Sequence, residues 1–409
     1  MLRVIRQPLA RLRQDQARYR WYALGVTTFT QAAASAVTSA LGPIAPLIMA
    51  EFAISRTQVG LVQTAIYLSG TFSAMVGGRI ADRAGERTAL IVSGLITGAA
   101  SVAAGLVGPF WAFLAVAFVI GIGTGVQNPA GSAAVMRWFP PRRRAFAMGI
   151  RQTGVPVGGV LAATAWPWIA THWGWRTSYM LAGVMACLGT ALIALSYWDP
   201  ERESGHGTGA RSMRDLMTDR RLWLLALTYN GQIVAQYSVS VYFVLFLHEA
   251  LDLPLIAAGS LFAVVSLTAI GGRIGWGLIS DSWFDGARRP VLAIIALLTL
   301  ISMLTAAALP SHASPALAVI LAVMIGFTAF SWTGIYGTLA IELAGRASAA
   351  SAVAWVHLLG GLGSLGAAPL FGYVVDRTGS YRIAWLVVAV AVLVGLISAL
   401  LLREDRALS

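Results

Sequence analysis

Lysine is missing altogether from these 409 residues, so every one of the 29 basic side chains is an arginine. Acids are scarce too, 17 in all, and charged residues make up only 11% of the chain. Soluble domains carry nearer one quarter, so a water-exposed globular fold is excluded. The single cysteine, Cys187, sits in an apolar run, which excludes an internal disulfide and a cysteine-based metal site. No GxxxxGK[ST] loop occurs, so ATP is not the energy source, and neither a His/Cys metal cluster nor a nucleophile elbow is present. No cofactor is expected, and an enzyme has no support.

What the chain does have is apolar length. Hydrophobic residues make up 57% of it, and the mean hydropathy is +0.73. Runs of about 20 apolar residues recur from end to end, each enough to cross a ~30 Å hydrocarbon layer. Spans are expected near 21–49, 58–80, 88–107, 110–136, 146–171 and 176–198, then near 222–249, 255–280, 290–309, 315–342, 348–374 and 383–402. The expected fold is therefore an all-α membrane protein of twelve transmembrane helices in two six-helix pseudo-symmetric bundles, 21–198 and 222–402. A polar central loop, 199–221, joins them, with a tail at each end, 1–20 and 403–409. The basic leader reads as a cytoplasmic tail rather than a signal peptide, since the apolar run behind it is long and lacks a clean cleavage site.

The net charge of +12 would suggest nucleic acid in a soluble protein, but here it follows the loops. One face holds 23 arginines, the other holds Arg56, Arg176, Arg377 and Arg382, and Arg151 and Arg273 lie within spans. Such a bias places both termini in the cytoplasm of a bacterial cell with an inner membrane. Nucleic acid is not an expected partner; a lipid bilayer is.

The halves echo each other. "GRIADRAGER" (78–87) follows the second span and "GLISDSWFDGARR" (277–289) the eighth, each with Gly and then Asp four residues on. "WGWRTSYMLAG" and "TGSYRIAWLVV" form a second pair before the last span of each half. Repeats of this kind mark transporter folds, in which two bundles rock about a central site. Six plus six helices, the central loop and "GRIADRAGER" together resemble the major facilitator superfamily. Gly78, Asp82, Arg83, Gly85 and Arg87 match its loop signature, while Glu86 stands where a basic residue is usual. The resemblance implies a gating role for these five residues and for Asp281, the weaker copy in the second half.

Three ionisable residues lie well inside apolar spans: Arg151, Arg273 and His357. Arg273 is eight residues before Asp281, roughly 12 Å along a helix, and His357 lies at a similar depth in the eleventh span. Arg151 is shallower, above the Arg142–Arg144 cluster. An arginine at mid-membrane costs at least ~2.5–3.5 kcal/mol unless it meets water, a partner or a ligand. The embedded stretches contain almost no acid, with Glu342 the closest candidate. Two cations, one titratable imidazole and no acid suit an anion and disfavour an amine.

"RWFPPRRRAFAMGIRQTGVPVGG" (137–159) is similar to the corresponding stretch of monocarboxylate and oxalate–formate type transporters: Gly149, Gly154, Pro156 and Gly158 match, while Arg151 and Gln152 replace small or apolar residues. "GRIGWGLISD" (272–281) resembles their eighth span. The resemblance implies that Arg273 contacts a substrate carboxylate and that His357 stands near a second basic position. Ala269 occupies the place of the aspartate that mammalian monocarboxylate carriers have one turn before this arginine. Neutral polar groups complete a candidate lining: Tyr229, Asn230, Gln232, Gln236 and Tyr237 in the seventh span, Gln31 in the first, Gln63 and Tyr67 in the second, Gln127 and Asn128 in the fourth, and Trp332 and Tyr336 in the tenth.

The function these readings support is secondary transport of a small organic anion, a carboxylate above all. Protons or a counter-anion would drive it by alternating access in a protein working as a monomer. Arg273 would anchor the charge, and His357 and Arg151 would assist. Protonation of His357 as the anion arrives would neutralise the load. One rival is an exporter of drugs or metabolites, which "GVPVGG" partly suggests. A second is a sensor that binds a ligand without transporting it, although the short central loop is a poor signalling platform.

Overall fold

The computed structural model describes residues 15–199, 217–310, 314–344 and 349–403, and all regular structure among them is helical. The chain's first half runs through α1 (Gln16–Thr38), α2 (Leu41–Phe52), α3 (Arg56–Ala84), α4 (Glu86–Ala104), α5 (Phe110–Trp138), α6 (Pro141–Gln152), α7 (Gly154–Trp173) and α8 (Trp175–Ser196). The second half continues with α9 (Arg220–Ala250), α10 (Leu255–Trp283), α11 (Arg288–Ala308), α12 (Pro315–Ala329), α13 (Thr333–Ala344), α14 (Ala349–Thr378) and α15 (Tyr381–Leu401). Eleven stretches among the described residues are long and apolar enough to cross a bilayer, α1–α2 and α12–α13 each counting as one. The pair α6–α7, which carries Arg151, is the remaining expected span.

Three spans expected as single helices are broken, each for a local reason. In the first, Pro43 and Pro46 follow the turn at Ser39–Ala40, and neither ring can donate to the carbonyl ladder. In the fifth, Pro156 cannot donate to Gln152 and its ring crowds that carbonyl, so the helix stops at Gln152 and resumes at Gly154. In the tenth the break at Phe330–Trp332 contains no proline. There Ser331 Oγ donates to Gly326 O at 2.7 Å, and Trp332 Nε1 donates to Ala329 O at 3.0 Å. Side-chain donors that capture carbonyls in this way compete with the backbone ladder. Trp332 therefore lies in the turn and not in a continuous tenth helix.

The described helices gather into two compact units, one from residues within 1–40 and 65–203, the other from residues within 41–64 and 204–409. In the first, Tyr19, Ala23 and Val26 of α1 pack with Ala89, Leu90, Val126, Ala130 and Ile193. In the second, Leu225, Tyr229 and Ile233 of α9 pack with Val291, Trp332, Ile335, Tyr336 and Leu339.

The loop signature is built into the first unit. Gly85 adopts φ +93°, where an L side chain is strained, and a Cβ there would lie 2.1 Å from Asp199 Oδ2. The freed space lets Asp199 accept the Arg87 backbone N–H at 2.9 Å and so cap the start of α4. The Arg87 guanidinium donates to Ala194 O. Glu86, the departure from the signature, has a fully buried carboxylate that accepts from Arg137 Nη1 at 3.2 Å and lies 2.9 Å from its Nε in an ion pair. The expectations for Gly78 and Asp82 lie outside the residues whose surroundings are described, and Arg83 is exposed. In the second unit Asp281 accepts from Arg288 at 2.6 Å, and Arg288 also lies 3.7 Å from Glu342.

A buried carboxylate left without its cation is strongly destabilising, by about 3–5 kcal/mol. Arg137→Ala should therefore give a large fall in the thermal midpoint of the detergent-solubilised protein. Adding Glu86→Gln to Arg137→Ala should recover much of it. A fall that the second substitution leaves untouched would show that Arg137 acts through packing and not through charge.

Candidate functional site

Arg151 sits in the last turn of α6, just before the break at Thr153, and its side chain is fully buried in the first unit. Four oxygens from two other helices surround the guanidinium. Nη2 donates to Gln31 Oε1 of α1 at 2.8 Å and to the Gln127 carbonyl of α5 at 3.1 Å. Nη1 donates to Asn128 Oδ1 at 3.2 Å and to Ser132 Oγ at 3.3 Å, both on α5. Nε has no partner among the described residues. Gly131 makes room for the group, since a Cβ there would stand 2.2 Å from Nη2. No carboxylate approaches Arg151 within ion-pair distance among the described residues. The structure thus brings together four residues expected in the lining, Arg151, Gln31, Asn128 and Gln127, the last through its backbone carbonyl, and adds Ser132. Ser132, one turn beyond Asn128 on the same face, was legible only from that i, i+4 spacing.

In the second unit Arg273, at mid-length of α10, donates through Nε to Phe330 O at 3.2 Å. That carbonyl belongs to the break between α12 and α13. Its neighbours Gly326 O and Ala329 O are taken by Ser331 and Trp332, so the guanidinium supplies a third donor to the end of α12. A cation at a helix C-terminus is favoured by the helix dipole. Broken helices of this type, with released carbonyls and side-chain donors side by side, are where transporters bind cargo and ions.

Beyond the break lies a cluster of rings. Tyr229 of α9 packs edge-on to Trp332 at 4.9 Å between centroids, and lies 4.9 Å from both Tyr336 and His357. His357 of α14 is also 5.6 Å from Tyr336, and unlike the three buried rings it is exposed. Gln236 Oε1 accepts from Trp332 Nε1 at 3.1 Å. Tyr336 is buried, and its hydroxyl has no partner among the described residues. Asn230 donates to Gly360 O at 3.2 Å and so serves helix packing between α9 and α14. Tyr237 is half-buried against the unit's core. Tyr67 is half-buried in the first unit, where its carbonyl accepts from Thr71.

The comparisons with known proteins agree with this architecture. The model of the Major Facilitator Superfamily matches residues 27–368. The chain is 27% identical over 386 residues to the Cupriavidus necator protein described as "Probable sulfoacetate transporter SauU", covering 88% of each chain. It is 26% identical to monocarboxylate transporter 13 of Bos taurus, covering 79% of this chain and 75% of that one. It is equally 26% identical to the membrane sensor protein UhpC of Escherichia coli, covering 78% and 77%. Among solved structures, a bacterial homologue of the human lysosomal transporter Spinster, inward-facing and occupied, superposes with a TM-score of 0.77 at 19% identity. That superposition covers 95% of this chain and 99% of the other. The chain belongs to the Major Facilitator Superfamily and is a membrane transporter, not an enzyme.

Proposed function

We propose that the protein carries a small organic anion, a carboxylate or a sulfonate, across a bacterial inner membrane by alternating access, with both termini in the cytoplasm. The observation that carries this reading is the setting of Arg151: a fully buried cation whose partners among the described residues are all neutral oxygens. Amide and hydroxyl dipoles orient the guanidinium without cancelling its charge. A carboxylate partner would hold it equally well and extinguish its field. The positive potential therefore remains available to a load of opposite sign, in a low-dielectric setting where it is felt most strongly.

Each unit presents its own cation. Arg273, in mid-α10 beside the end of the broken α12, is the proposed anchor for the anionic head, and Arg151 is the second charge the load meets during the cycle. The rings of Tyr229, Trp332 and Tyr336 offer flat apolar surface for an organic tail, and the exposed edge of His357 can add a proton. Sulfoacetate and monocarboxylates, named for two of the relatives, are small organic anions of this class. Coupling to protons or to a counter-anion would account for net movement.

Binding to the folded state raises the melting temperature by mass action. Purified protein screened against mono- and dicarboxylates, sulfonates and cationic drugs should show a shift with one anion class. Arg273→Gln should weaken that binding by at least about thirtyfold, or about 2 kcal/mol, because a buried charge contact is lost. Arg151→Gln should weaken it as well. A shift with drugs alone, indifferent to both substitutions, would make the protein an exporter and its arginines struts.

A protonated imidazole adds positive charge, so anion affinity should fall as pH rises. His357→Ala should flatten that profile while leaving measurable binding at high pH. An unchanged profile in the variant would remove His357 from coupling.

A further inference from the structure

The first unit carries a further group of arginines that the anion reading does not use. They lie where α1 begins and where α5 turns into α6 at Pro140. Phe139, which ends α5, joins the three helices, buried with Leu24 of α1, Val135 of α5 and Ala147 of α6. Two of the arginines rest on it. Arg144 Nε donates to the Phe139 carbonyl at 2.9 Å, and the Arg20 guanidinium carbon stands 5.8 Å from the centre of the Phe139 ring. The same carbon lies 5.9 Å from the Trp21 ring. Arg143, next to Arg144, is exposed.

These arginines lack an acid. Elsewhere Arg56 pairs with Glu249 and Asp376, Arg137 with Glu86, and Arg288 with Asp281. No carboxylate comes within ion-pair distance of Arg20, Arg143 or Arg144 among the described residues. The buried Arg20 Nε has no hydrogen-bond partner among them either. Aromatic faces attract and orient a guanidinium, but they carry no net charge and leave its own unmatched. The segment before α1, residues 1–14, contains four arginines and no acid, so it cannot supply the counter-charge.

The apolar part of the patch is equally unsuited to water. Phe146 is 65% exposed and Trp21 37%, and the two rings meet edge to face at 6.4 Å. Trp21 meets Phe139 in the same way at 5.0 Å. A solvated loop has no use for exposed rings, and a surface facing hydrocarbon alone has none for guanidinium groups. The combination suits the boundary between the two, where rings lie beside glycerol and upper acyl chain while arginine stems carry their charge to the phosphate level. We propose that Arg20, Arg143 and Arg144, with Trp21 and Phe146, form a site for the headgroup of an anionic phospholipid, in the leaflet from which α1 enters the bilayer. The lipid phosphate takes the place of the missing carboxylate, accepting from Arg20 and Arg144, and Arg143 adds to the attraction.

Native mass spectrometry of the full-length protein in detergent tests this, with phosphatidylglycerol and phosphatidylcholine of the same acyl chains as the two probes. Phosphatidylglycerol should be retained at least about tenfold more tightly than phosphatidylcholine, whose choline offsets the phosphate charge. Arg20→Gln combined with Arg144→Gln should cut that preference at least about fivefold. Arg18→Gln removes a charge from the same turn of α1, but Arg18 pairs with Asp15 and its side chain is 81% exposed, so retention should not change. Arg144 also holds the end of α5; if that double variant is not recovered, Arg20→Gln combined with Arg143→Gln asks the same question. Equal retention of the two lipids, or an equal loss in Arg18→Gln, would overturn the site and leave only the general attraction of a basic surface. Displacement of phosphatidylglycerol by an equal concentration of inorganic phosphate would overturn the lipid as its occupant.

Discussion

Hydrocarbon does not solvate a guanidinium, and a chain that places arginines inside its spans must supply their oxygens itself. Much of the local structure serves that need. Around Arg151 an amide comes from α1, an amide, a hydroxyl and a carbonyl come from α5, and a missing side chain at Gly131 leaves the space. Around Arg273 the oxygen is a backbone carbonyl, released because the tenth span breaks at Phe330–Trp332. The break and the cation support each other. Without a donor the carbonyl at the end of α12 would be an unmet acceptor, and without the break the arginine would face a ladder already paired.

The spans, the repeat and the two embedded arginines were legible in the sequence, because hydropathy length and loop charge are local signals. Twelve expected spans correspond to the eleven apolar stretches plus α6–α7. Breaks at proline could have been read from Pro43, Pro46 and Pro156, whose chemistry is equally local. The break at Ser331–Trp332 could not, since it depends on hydroxyl and indole donors reaching carbonyls that an intact helix would also offer. Trp332 and Tyr336 do meet, with 5.5 Å between ring centroids, though not as neighbours on one unbroken helix face.

What pattern reading missed were contacts across long sequence distances. Arg56 counted only as one arginine on the sparse side of the charge bias. Its partners Glu249 and Asp376 are unremarkable where they stand, and nothing in the intervening residues announces that they converge. Glu86 was the opposite case, visible as a departure from a signature but without a reason. The reason is Arg137, which lies 51 residues on and, itself half-buried, pairs with the buried carboxylate.

The protein therefore handles positive charge in two ways, and the difference is physical. Arg56 and Arg137 are matched with carboxylates, which neutralise them and tie helices together. Arg151 is held by neutral oxygens, which fix its position and leave its field intact. An acid at Gln31 or Asn128 would bind the guanidinium more tightly and screen it from any anion. A chain selected only for stability in lipid has no need of such a cation, and an apolar side chain of similar volume would pack there at less desolvation cost. Keeping Arg151 buried, oriented and unneutralised is consistent with a load whose charge it meets only in passing.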